Sequence, residues 1–354
     1  TSLPGPYGVG TLGKEAYRFV DFLRRAGQRY WQILPVGPTG YGDSPYQTFC
    51  TFAGNPYLID LDRLRDLGLL EQAEIDARSF GDDPGRVDYG ALYENRLALL
   101  RIAFERFARD ASSFESFCTE QEFWLTDYVR FMALKARYGG KSWTEWPEPL
   151  RFRREEALVQ ADEELAEEMD FYRFLQYAFF VQWKALRSYA HENGVRIIGD
   201  VPIYVPLDSS DVWSNPKDFQ LDKERRPTCV AGVPPDYFSA DGQLWGNPLY
   251  DWKRMKHDGY RWWLQRMRAA AGTFDVVRID HFRGIESYWA VPYGEATARN
   301  GAWCKGPGMN LIRAIRRELP ELDCIAEDLG FLTPEVTALV KRSGFPGMKV
   351  LEFA

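Results

Sequence analysis

The chain has 354 residues, a mass of 40.9 kDa, a formal net charge of −7 and a sequence pI near 5.3. A chain of this length can bury a large core, and a single α/β barrel with insertions fits it as well as two domains do. The acidic balance argues against nucleic acid as a partner, because phosphates require a basic face. Aromatic residues make up 15% of the chain; most pack cores, but rings near Asp and Asn also suit sugars.

Cysteine and histidine usage restricts the redox and metal chemistry. The five cysteines are scattered without a CxxC spacing, which predicts reduced thiols in a cytoplasmic protein. The three histidines argue against a His-based metal site. Neither a charged-then-apolar leader nor an apolar run of about 18 residues occurs, so we expect no signal peptide and no membrane span.

At the start of the chain, residues 8–13 match the pattern G-x-G-x-x-G. The residues before them contain Pro4 and Pro6 and do not resemble a strand, so we reject a dinucleotide site. Residues 14–26 then carry apolar side chains at helical spacing, and Gly27 is a plausible stop. No nucleotide cofactor is expected.

Six short apolar segments are predicted to be strands, and several deliver an acidic residue to their carboxyl end. They are residues 29–34, 55–61, 196–202, 276–280, 322–327 and 347–353. Helical patterns alternate with them, which is typical of a parallel β/α barrel. We therefore predict an α/β fold of the TIM-type (β/α)8 class, with a catalytic barrel formed by residues 1–61 and 169–354. Residues 62–168 are predicted to be a mainly helical insertion subdomain.

Two loops have the composition of ligand-binding segments. Residues 37–47 are rich in Gly, Pro, hydroxyl and aromatic groups, as expected of a loop at a barrel mouth, although a plain surface loop is the alternative. Residues 228–252 are long, marked by Gly and Pro, and carry aromatic residues. We interpret this second segment as a lid.

Asp280 and Glu327 end consecutive predicted strands, where the loops of a barrel gather, so they are expected to face each other across its mouth. Glycoside chemistry uses such a pair, one carboxylate as the nucleophile and one carboxylic acid as the proton donor. Arg278 lies on the same side of its strand as Asp280 and is expected to lower the pKa of Asp280. Glu327 has no basic residue in its strand, which favours a raised pKa and the acid/base role.

From spacing alone, structural ion pairs explain these two carboxylates equally well. His281, directly after Asp280, could donate to a sugar hydroxyl or simply make a local hydrogen bond. The residues by themselves leave both alternatives open.

Several long motifs, in order, resemble the 4-alpha-glucanotransferases of the amylomaltase (disproportionating enzyme) family, which are related to the α-amylases. The most specific is Arg278-Ile279-Asp280-His281-Phe282-Arg283-Gly284. The others are residues 2–10, 42–47, 199–205, 232–238, 245–248 and 326–330. Together these motifs extend over nearly the whole chain.

The resemblance implies a function and a set of site residues. It implies that Asp280 is the nucleophile and Glu327 the general acid/base. The implied substrate-binding residues are Tyr41, Ser44, Asp200, Asp236, Trp245, Asn247, Arg278 and His281, with a loop around Tyr237 and Phe238 closing over the glucan. The implied partners are maltooligosaccharides and α-1,4-glucans of starch and glycogen metabolism, without a metal or other cofactor.

One departure from the family pattern matters. The family carries a third catalytic carboxylate in a His-Asp-Asn-Asp motif, and nothing like it appears before Ala354. The last barrel strands are also not recognisable, and a sheet of six parallel strands would keep open edges. We therefore expect the C-terminal barrel strands to be missing from this chain, as part of a longer protein, and expect the 354 residues alone to show little or no turnover.

The predicted activity is the transfer of α-1,4-glucan segments to the 4-hydroxyl of an acceptor glucan by a retaining double displacement. One alternative is an α-1,4-glucan hydrolase with the same carboxylates and a wetter acceptor site. Another, for this chain alone, is a non-catalytic glucan-binding module. The pattern of released sugars separates the first two, and binding without product would favour the third.

Overall fold

A computed structural model describes residues 2–40, 42–83, 85–237, 239–330 and 332–353. Within these residues, eight strands form two sheets of four strands each. The strands are β1 (Tyr30–Gln32), β2 (Arg196–Pro202), β3 (Cys229–Val233), β4 (Gln243–Pro248), β5 (Val276–Asp280), β6 (Ser287–Pro292), β7 (Ala302–Lys305) and β8 (Asp323–Ala326).

The first sheet is parallel and has the strand order β1-β2-β5-β8. Its strands coincide with four of the predicted ones. Ile197, Val277 and Ile279 are fully buried, because a parallel sheet is covered on both faces and its strands are apolar throughout. Asp200 pairs with Arg278 across β2 and β5, so the ends of these two strands meet at one edge of the sheet.

Two of the six predicted strands are wrong. Residues 55–61 form a short 3-10 helix (Pro56–Leu58) and the start of an α-helix. The side chains of Asn55 and Asp60 accept hydrogen bonds from the amides of Tyr57 and Arg63, and such caps favour helical turns over strands. Residues 347–353 contain no strand either, because the Met348 amide donates to Asp328 rather than to a neighbouring strand.

The parallel sheet therefore has four strands in the described part of the chain, with β1 and β8 at its outer edges. Closure into a barrel is not seen among these residues. The α/β class is confirmed, and the (β/α)8 barrel stays a prediction.

Of the α-helices in the described residues, one precedes β1, one follows β8, and the others lie between strands, most of them in the long segment between β1 and β2. They are α1 (Lys14–Arg25), α2 (Leu61–Asp66), α3 (Gln72–Asp76), α4 (Tyr89–Ala91), α5 (Leu97–Arg106), α6 (Ser112–Glu120), α7 (Glu122–Arg137), α8 (Glu148–Arg151), α9 (Glu155–Glu164), α10 (Ala166–Glu192), α11 (Ser210–Ser214), α12 (Trp252–His257), α13 (Arg261–Thr273), α14 (Arg283–Glu286), α15 (Met309–Glu318) and α16 (Pro334–Ser343). Helix α16 is capped by Thr333 and ended by Gly344, which has a φ of 67°.

The second sheet is antiparallel, with the strand order β4-β3-β6-β7. It was not predicted. The segment interpreted as a lid, residues 228–252, is largely the hairpin of β3 and β4, and only its tip is irregular. The Gly and Pro residues that suggested a loop include Gly232 and Pro248, which the hairpin accommodates within its strands.

One hydrophobic cluster connects the long helical segment to the parallel sheet. Leu99 and Phe104 of α5 belong to the same buried cluster as Ile197 of β2 and Ile279 of β5. The division into a barrel and an insertion subdomain therefore stays a prediction. Among the described residues, no helix combines the length and the apolar character needed to cross a membrane.

Candidate active site

Arg278 is the central cation of the site at the carboxyl ends of β2 and β5. Its Nη1 donates to Asp200 Oδ1 at 2.6 Å and lies 2.9 Å from Asp280 Oδ1. Burial works against the charge of Arg278, but the two carboxylates outweigh it and raise the pKa of the guanidinium. Arg278 and Asp280 therefore lie on one side of β5, as their spacing predicts.

Asp200 is almost completely buried and has a second donor. Tyr46, from the loop of residues 37–47, donates its hydroxyl to Asp200 Oδ2 at 2.8 Å. Burial raises the pKa of Asp200, whereas the bonds from Tyr46 and Arg278 lower it. Tyr46 was not among the predicted site residues. It lies in one of the family-like motifs, but a contact across 154 residues cannot be inferred from the sequence alone.

Glu327 follows β8 directly and is oriented by two backbone amides. The amides of His281 and Leu329 donate to its Oε2 and Oε1, both at 2.8 Å. Burial raises the pKa of Glu327 and the Asp280 charge adds to this, while the two amides oppose it. The raised pKa agrees with the prediction, although burial is the main cause.

The sequence predicts that Asp280 and Glu327 face each other across the mouth of a barrel. In the structure they lie on neighbouring strands instead. Strands β5 and β8 are neighbours, with Ile279 paired to Ala326, so the two carboxyl groups leave adjacent strand ends side by side. Adjacent positions place a nucleophile and a proton donor on one reacting bond as well as opposite positions do. The charge of Asp280 adds to the raised pKa of Glu327, as expected of carboxyl groups on neighbouring strand ends.

His281 has an unusual backbone, with a φ of 51°. The left-handed region is unfavourable for a residue with a Cβ, and such strain is frequent at functional sites. Here it allows the His281 amide to donate to Glu327. Burial, with a smaller effect of Arg283, lowers the pKa of His281 to about 3, so the imidazole is neutral and can both donate and accept a hydrogen bond.

A cleft of about 470 Å³ opens beside Asp280. Its lining is formed by Ser44, Tyr46, Gln47, Pro202, Ile203, Tyr204, Leu244, Trp245, Asn247 and Asp280. The lining combines aromatic faces with amide and hydroxyl groups, which is the composition that suits a sugar ring and its hydroxyls. Ser44, Trp245 and Asn247 are thus brought together with Asp280.

The Trp245 ring forms one wall of this cleft and is fixed by its neighbours. It meets the His281 ring edge to face at a centroid distance of 4.7 Å, and its Nε1 donates to Gln243 at 3.0 Å. Asn247, on the same strand, accepts a long hydrogen bond of 3.5 Å from Gln47. Strand β4 therefore carries two of the predicted sugar-binding residues.

The remaining predicted residues lie apart from the cleft or cannot be placed. Tyr237 is fully exposed at the tip of the β3–β4 hairpin, and Asp236 beside it accepts from the Ser239 amide at 2.8 Å. Neither contributes to the lining described above. Tyr41 and Phe238 lie outside the described residues.

Among the described residues, no cluster of three or more His, Cys, Asp or Glu side chains could hold a metal ion. The carboxylates at the site instead bond to a guanidinium, a phenol and backbone amides. The site is therefore built to hold carboxyl groups in defined orientations and protonation states.

The chain is similar to known proteins over its whole length. A family profile described as 4-alpha-glucanotransferase matches residues 1–354. The 4-alpha-glucanotransferase of Clostridium butyricum is 49% identical over 356 residues, covering 100% of this chain and 73% of that protein. The enzyme of the same name from Thermus thermophilus is 53% identical over 359 residues, covering 100% and 71%.

Among solved structures, the amylomaltase from Streptococcus agalactiae in complex with acarbose is similar with a TM-score of 0.97 and 44% identity, covering 100% of this chain and 72% of that one. The amylomaltase from Corynebacterium glutamicum shares the fold with a TM-score of 0.78 at 21% identity, covering 98% and 49%. The chain belongs to the 4-alpha-glucanotransferase family.

Proposed function

We propose that this protein transfers α-1,4-glucan segments from a donor maltooligosaccharide to the 4-hydroxyl of an acceptor glucan, with Asp280 as the nucleophile and Glu327 as the acid/base. The observation that carries the proposal is the contrast between the two carboxyl groups. Asp280 is ion-paired to Arg278, whereas the Glu327 carboxyl is buried and its pKa is raised. A retaining glycosidase mechanism requires this division of roles.

In the first step, Asp280 attacks the anomeric carbon of the donor sugar and Glu327 protonates the departing glycosidic oxygen. Arg278 keeps Asp280 oriented through the 2.9 Å contact to Oδ1. The raised pKa of Glu327 keeps a proton on this carboxyl above the usual range of a glutamic acid. The products are a covalent glycosyl-enzyme on Asp280 and a shortened glucan with a free 4-hydroxyl.

In the second step, Glu327 is ionised and removes the proton from the 4-hydroxyl of an acceptor glucan, which attacks the same anomeric carbon. The glucan is released with its original α configuration and Asp280 is regenerated. Entry of water in place of the acceptor gives hydrolysis. Transfer therefore depends on an acceptor held against the aromatic wall of the cleft and on the exclusion of water.

The proposed substrates are maltooligosaccharides and α-1,4-glucans of starch and glycogen type. The Trp245 ring offers a flat face for a sugar, and Ser44 and Asn247 offer hydroxyl partners. The similar amylomaltase was solved with acarbose, which supports oligosaccharides as ligands of this chain. No residue role requires a metal or another cofactor.

Further parts of the proposal rest on the family resemblance. We assign sugar contacts to Tyr41 and Asp236, and a closing motion over the glucan to the hairpin tip around Tyr237 and Phe238. We also assign the parallel sheet to a (β/α)8 barrel and the protein to the cytoplasm. The exposed Tyr237 ring supports the lid assignment, since it is free to pack on a ligand.

The test is incubation of the full-length protein with maltotriose, followed by chromatography of the products. A series of longer oligosaccharides together with glucose, absent in an Asp280→Asn variant, is expected. Glucose and maltose without longer products would identify a hydrolase instead.

Binding of maltotriose by the full-length protein without any product would favour the glucan-binding module. The family membership favours transfer over both hydrolysis and binding without reaction.

A further inference from the structure

A buried guanidinium lies directly behind the cleft. Arg266 of α13 is 2% exposed. Its Nη2 donates to the carbonyl oxygen of Pro202 at 2.6 Å, its Nη1 to that of Ile203 at 3.2 Å, and its Nε to Thr51 Oγ1 at 2.7 Å. All three partners are neutral oxygens. A desolvated cation is costly unless its hydrogen bonds are well formed, so these bonds hold their partners firmly.

Two of the bonds end on the chain segment beside the proposed nucleophile. Pro202 is the residue directly paired with Asp280 across β2 and β5. Pro202 and Ile203 also line the cleft together with Asp280. The Tyr250 hydroxyl donates to the same Ile203 carbonyl at 2.8 Å. The end of β2 is therefore held from behind by two side chains at the point where it borders the reacting groups.

The third bond ends on the other segment that lines the cleft. Thr51 follows the loop that carries Ser44 and Tyr46, and Tyr46 bonds to Asp200. The Thr51 amide donates to Asp211 Oδ2 at 2.8 Å, and Asp211 is itself buried. Arg266 thus connects the Tyr46 segment to the β2 segment, through Thr51 on one side and two carbonyls on the other.

The guanidinium cannot easily leave this position. Its Cζ lies 5.1 Å from the ring centroid of Trp263 and 5.5 Å from that of Trp262. Both rings are buried, and guanidinium groups are attracted to indole faces. The planar group can satisfy three acceptors from one fixed orientation, which a lysine ammonium on a flexible stem cannot reproduce.

We propose that Arg266 is a positioning residue for glucan transfer: it sets the separation between the Tyr46–Asp200 contact and Asp280, and thereby the placement of the donor sugar against the nucleophile. This inference rests on the proposed function. Arg266 touches no substrate. Small misplacements of reacting groups reduce the rate of the chemical step far more than they reduce ground-state binding.

The test compares Arg266→Lys and Arg266→Gln with the wild type, each as full-length protein, in the disproportionation of maltotriose well below the unfolding temperature. We expect kcat to fall about 10- to 100-fold in Arg266→Gln while KM changes less than about threefold. The kcat of Arg266→Lys is expected to lie between those of the wild type and Arg266→Gln, because lysine keeps the charge but loses part of the planar set of donors.

Arg187→Gln is the matched control. Arg187 also donates to two carbonyls, of Gly272 and Phe274, but at the opposite end of the parallel sheet near Asp275. This variant should lower the unfolding temperature and leave kcat within about twofold. A purely structural role of Arg266 would make the two variants behave alike in kcat, which would overturn the proposal.

Thr51→Val provides an independent readout, including the case in which Arg266→Gln does not fold, because it removes one acceptor and leaves the guanidinium in place. A lower kcat with unchanged KM supports the proposal, and an unchanged kcat overturns it. Absence of transfer by the wild type would overturn the proposed function, and this proposal with it. An active wild type with unaffected variants would overturn this proposal alone.

Discussion

At the scale of single residues, the site depends on the different surroundings of two neighbouring carboxyl groups. Arg278 is shared between Asp200 and Asp280, so it orients the proposed nucleophile without a bond to Glu327. Glu327 is bonded to two amides and is partly desolvated. The protein thus provides an ion-paired and a protonatable carboxyl on neighbouring strand ends.

The acid/base role of Glu327 predicts a specific behaviour of Glu327→Gln. We expect transfer between maltooligosaccharides to fall at least about 1,000-fold, within the range for loss of general acid–base catalysis. With a maltosyl fluoride donor, whose leaving group needs no proton, a single stoichiometric burst of fluoride should persist. Fluoride release measured in a stopped-flow instrument checks this, and loss of the burst would contradict the assigned role.

The pH profile gives a second measurement for the same residue. Burial raises the pKa of Glu327, so the protonated form persists above the usual range of a glutamic acid. Activity should therefore hold through the weakly acidic range and fall as pH rises through this raised pKa. In Glu327→Gln the residual fluoride burst should show no such basic limb.

Tyr46→Phe tests the hydroxyl that donates to buried Asp200. Loss of a hydrogen bond to a buried carboxylate should lower the free energy of unfolding by about 1.5–3 kcal/mol. We also expect kcat/KM to fall about tenfold. Without the Tyr46 hydroxyl, Asp200 should bind Arg278 more strongly and so weaken the contact of Arg278 with Asp280. Tyr293→Phe, at an exposed ring, is the control, and equal effects of both variants would refute a role for the Tyr46 hydroxyl.

The sequence could predict part of this site and not the rest. The spacing of Arg278 and Asp280 indicates one side of a strand, and the ion pair agrees with it. The Tyr46–Asp200 bond joins segments that are distant in the chain. The left-handed backbone of His281 is a local strain that the residue type does not indicate. These features require the three-dimensional arrangement.

At the scale of secondary structure elements, the parallel sheet is fixed at its amino ends by a second ionic network. Asp275, just before β5, accepts from the Ile197 amide at 2.7 Å, from Arg187 at 2.6 Å and from His191 at 2.9 Å. Arg187 and His191 belong to α10. The network therefore joins α10, β2 and β5 at the end of the sheet opposite to the catalytic carboxyls.

Asp275→Asn is expected to lower the free energy of unfolding by about 1.5–3 kcal/mol, because it removes a buried carboxylate that accepts charged hydrogen bonds from the more exposed Arg187 and His191. Burial opposes the ionisation of Asp275, but its three donors prevail and lower its pKa. A lowered pKa contributes stability above the unfolded-state value near 4, and this contribution is lost as pH falls further. The difference between variant and wild type in urea unfolding should therefore shrink below about pH 4.

Glu15 provides the matched control for this measurement. Glu15→Gln removes an exposed i,i+3 ion pair with Arg18, and such pairs contribute little. We expect a change within about 0.5 kcal/mol. Equal destabilisation by both variants would show that the Asp275 network does not stabilise the fold more than an exposed ion pair does.

Among the elements, segments with clustered apolar residues or clear caps were predictable, and the strands of the antiparallel sheet were not. Strands β2 and β5 contain the apolar pairs Ile197-Ile198 and Val276-Val277, and α16 has both of its caps, so local sequence determines them. The antiparallel sheet consists of strands of four to six residues, and three of these strands contain Gly or Pro. Their pairing with distant partners decides their structure, and local patterns cannot show it.

At the scale of the whole molecule, one buried cluster extends from the long helical segment to the parallel sheet. Phe104 of α5 is 1% exposed within this cluster. We expect Phe104→Ala to lower the free energy of unfolding by about 3–5 kcal/mol. Because the core is shared, tryptophan fluorescence and loss of maltotriose binding should report the same shifted midpoint.

Phe22→Ala, at a half-exposed ring of α1, should shift the midpoint much less. Two separate transitions, with maltotriose binding retained after the helical segment has unfolded, would show instead that the insertion is an independent folding unit.

The shared guanidinium has a consequence for the kind of sugar that the protein can accept. Asp200 and Asp280 share one cation, Arg278, and His281 is neutral, so this pair of carboxylates keeps a negative field even with Glu327 protonated. Such a field favours ligands that are cationic or become so, as amine-containing sugar mimics do. It repels anionic ones. Glucans that carry phosphate esters near the scissile bond should therefore be excluded by electrostatic repulsion, even where their shape fits the cleft.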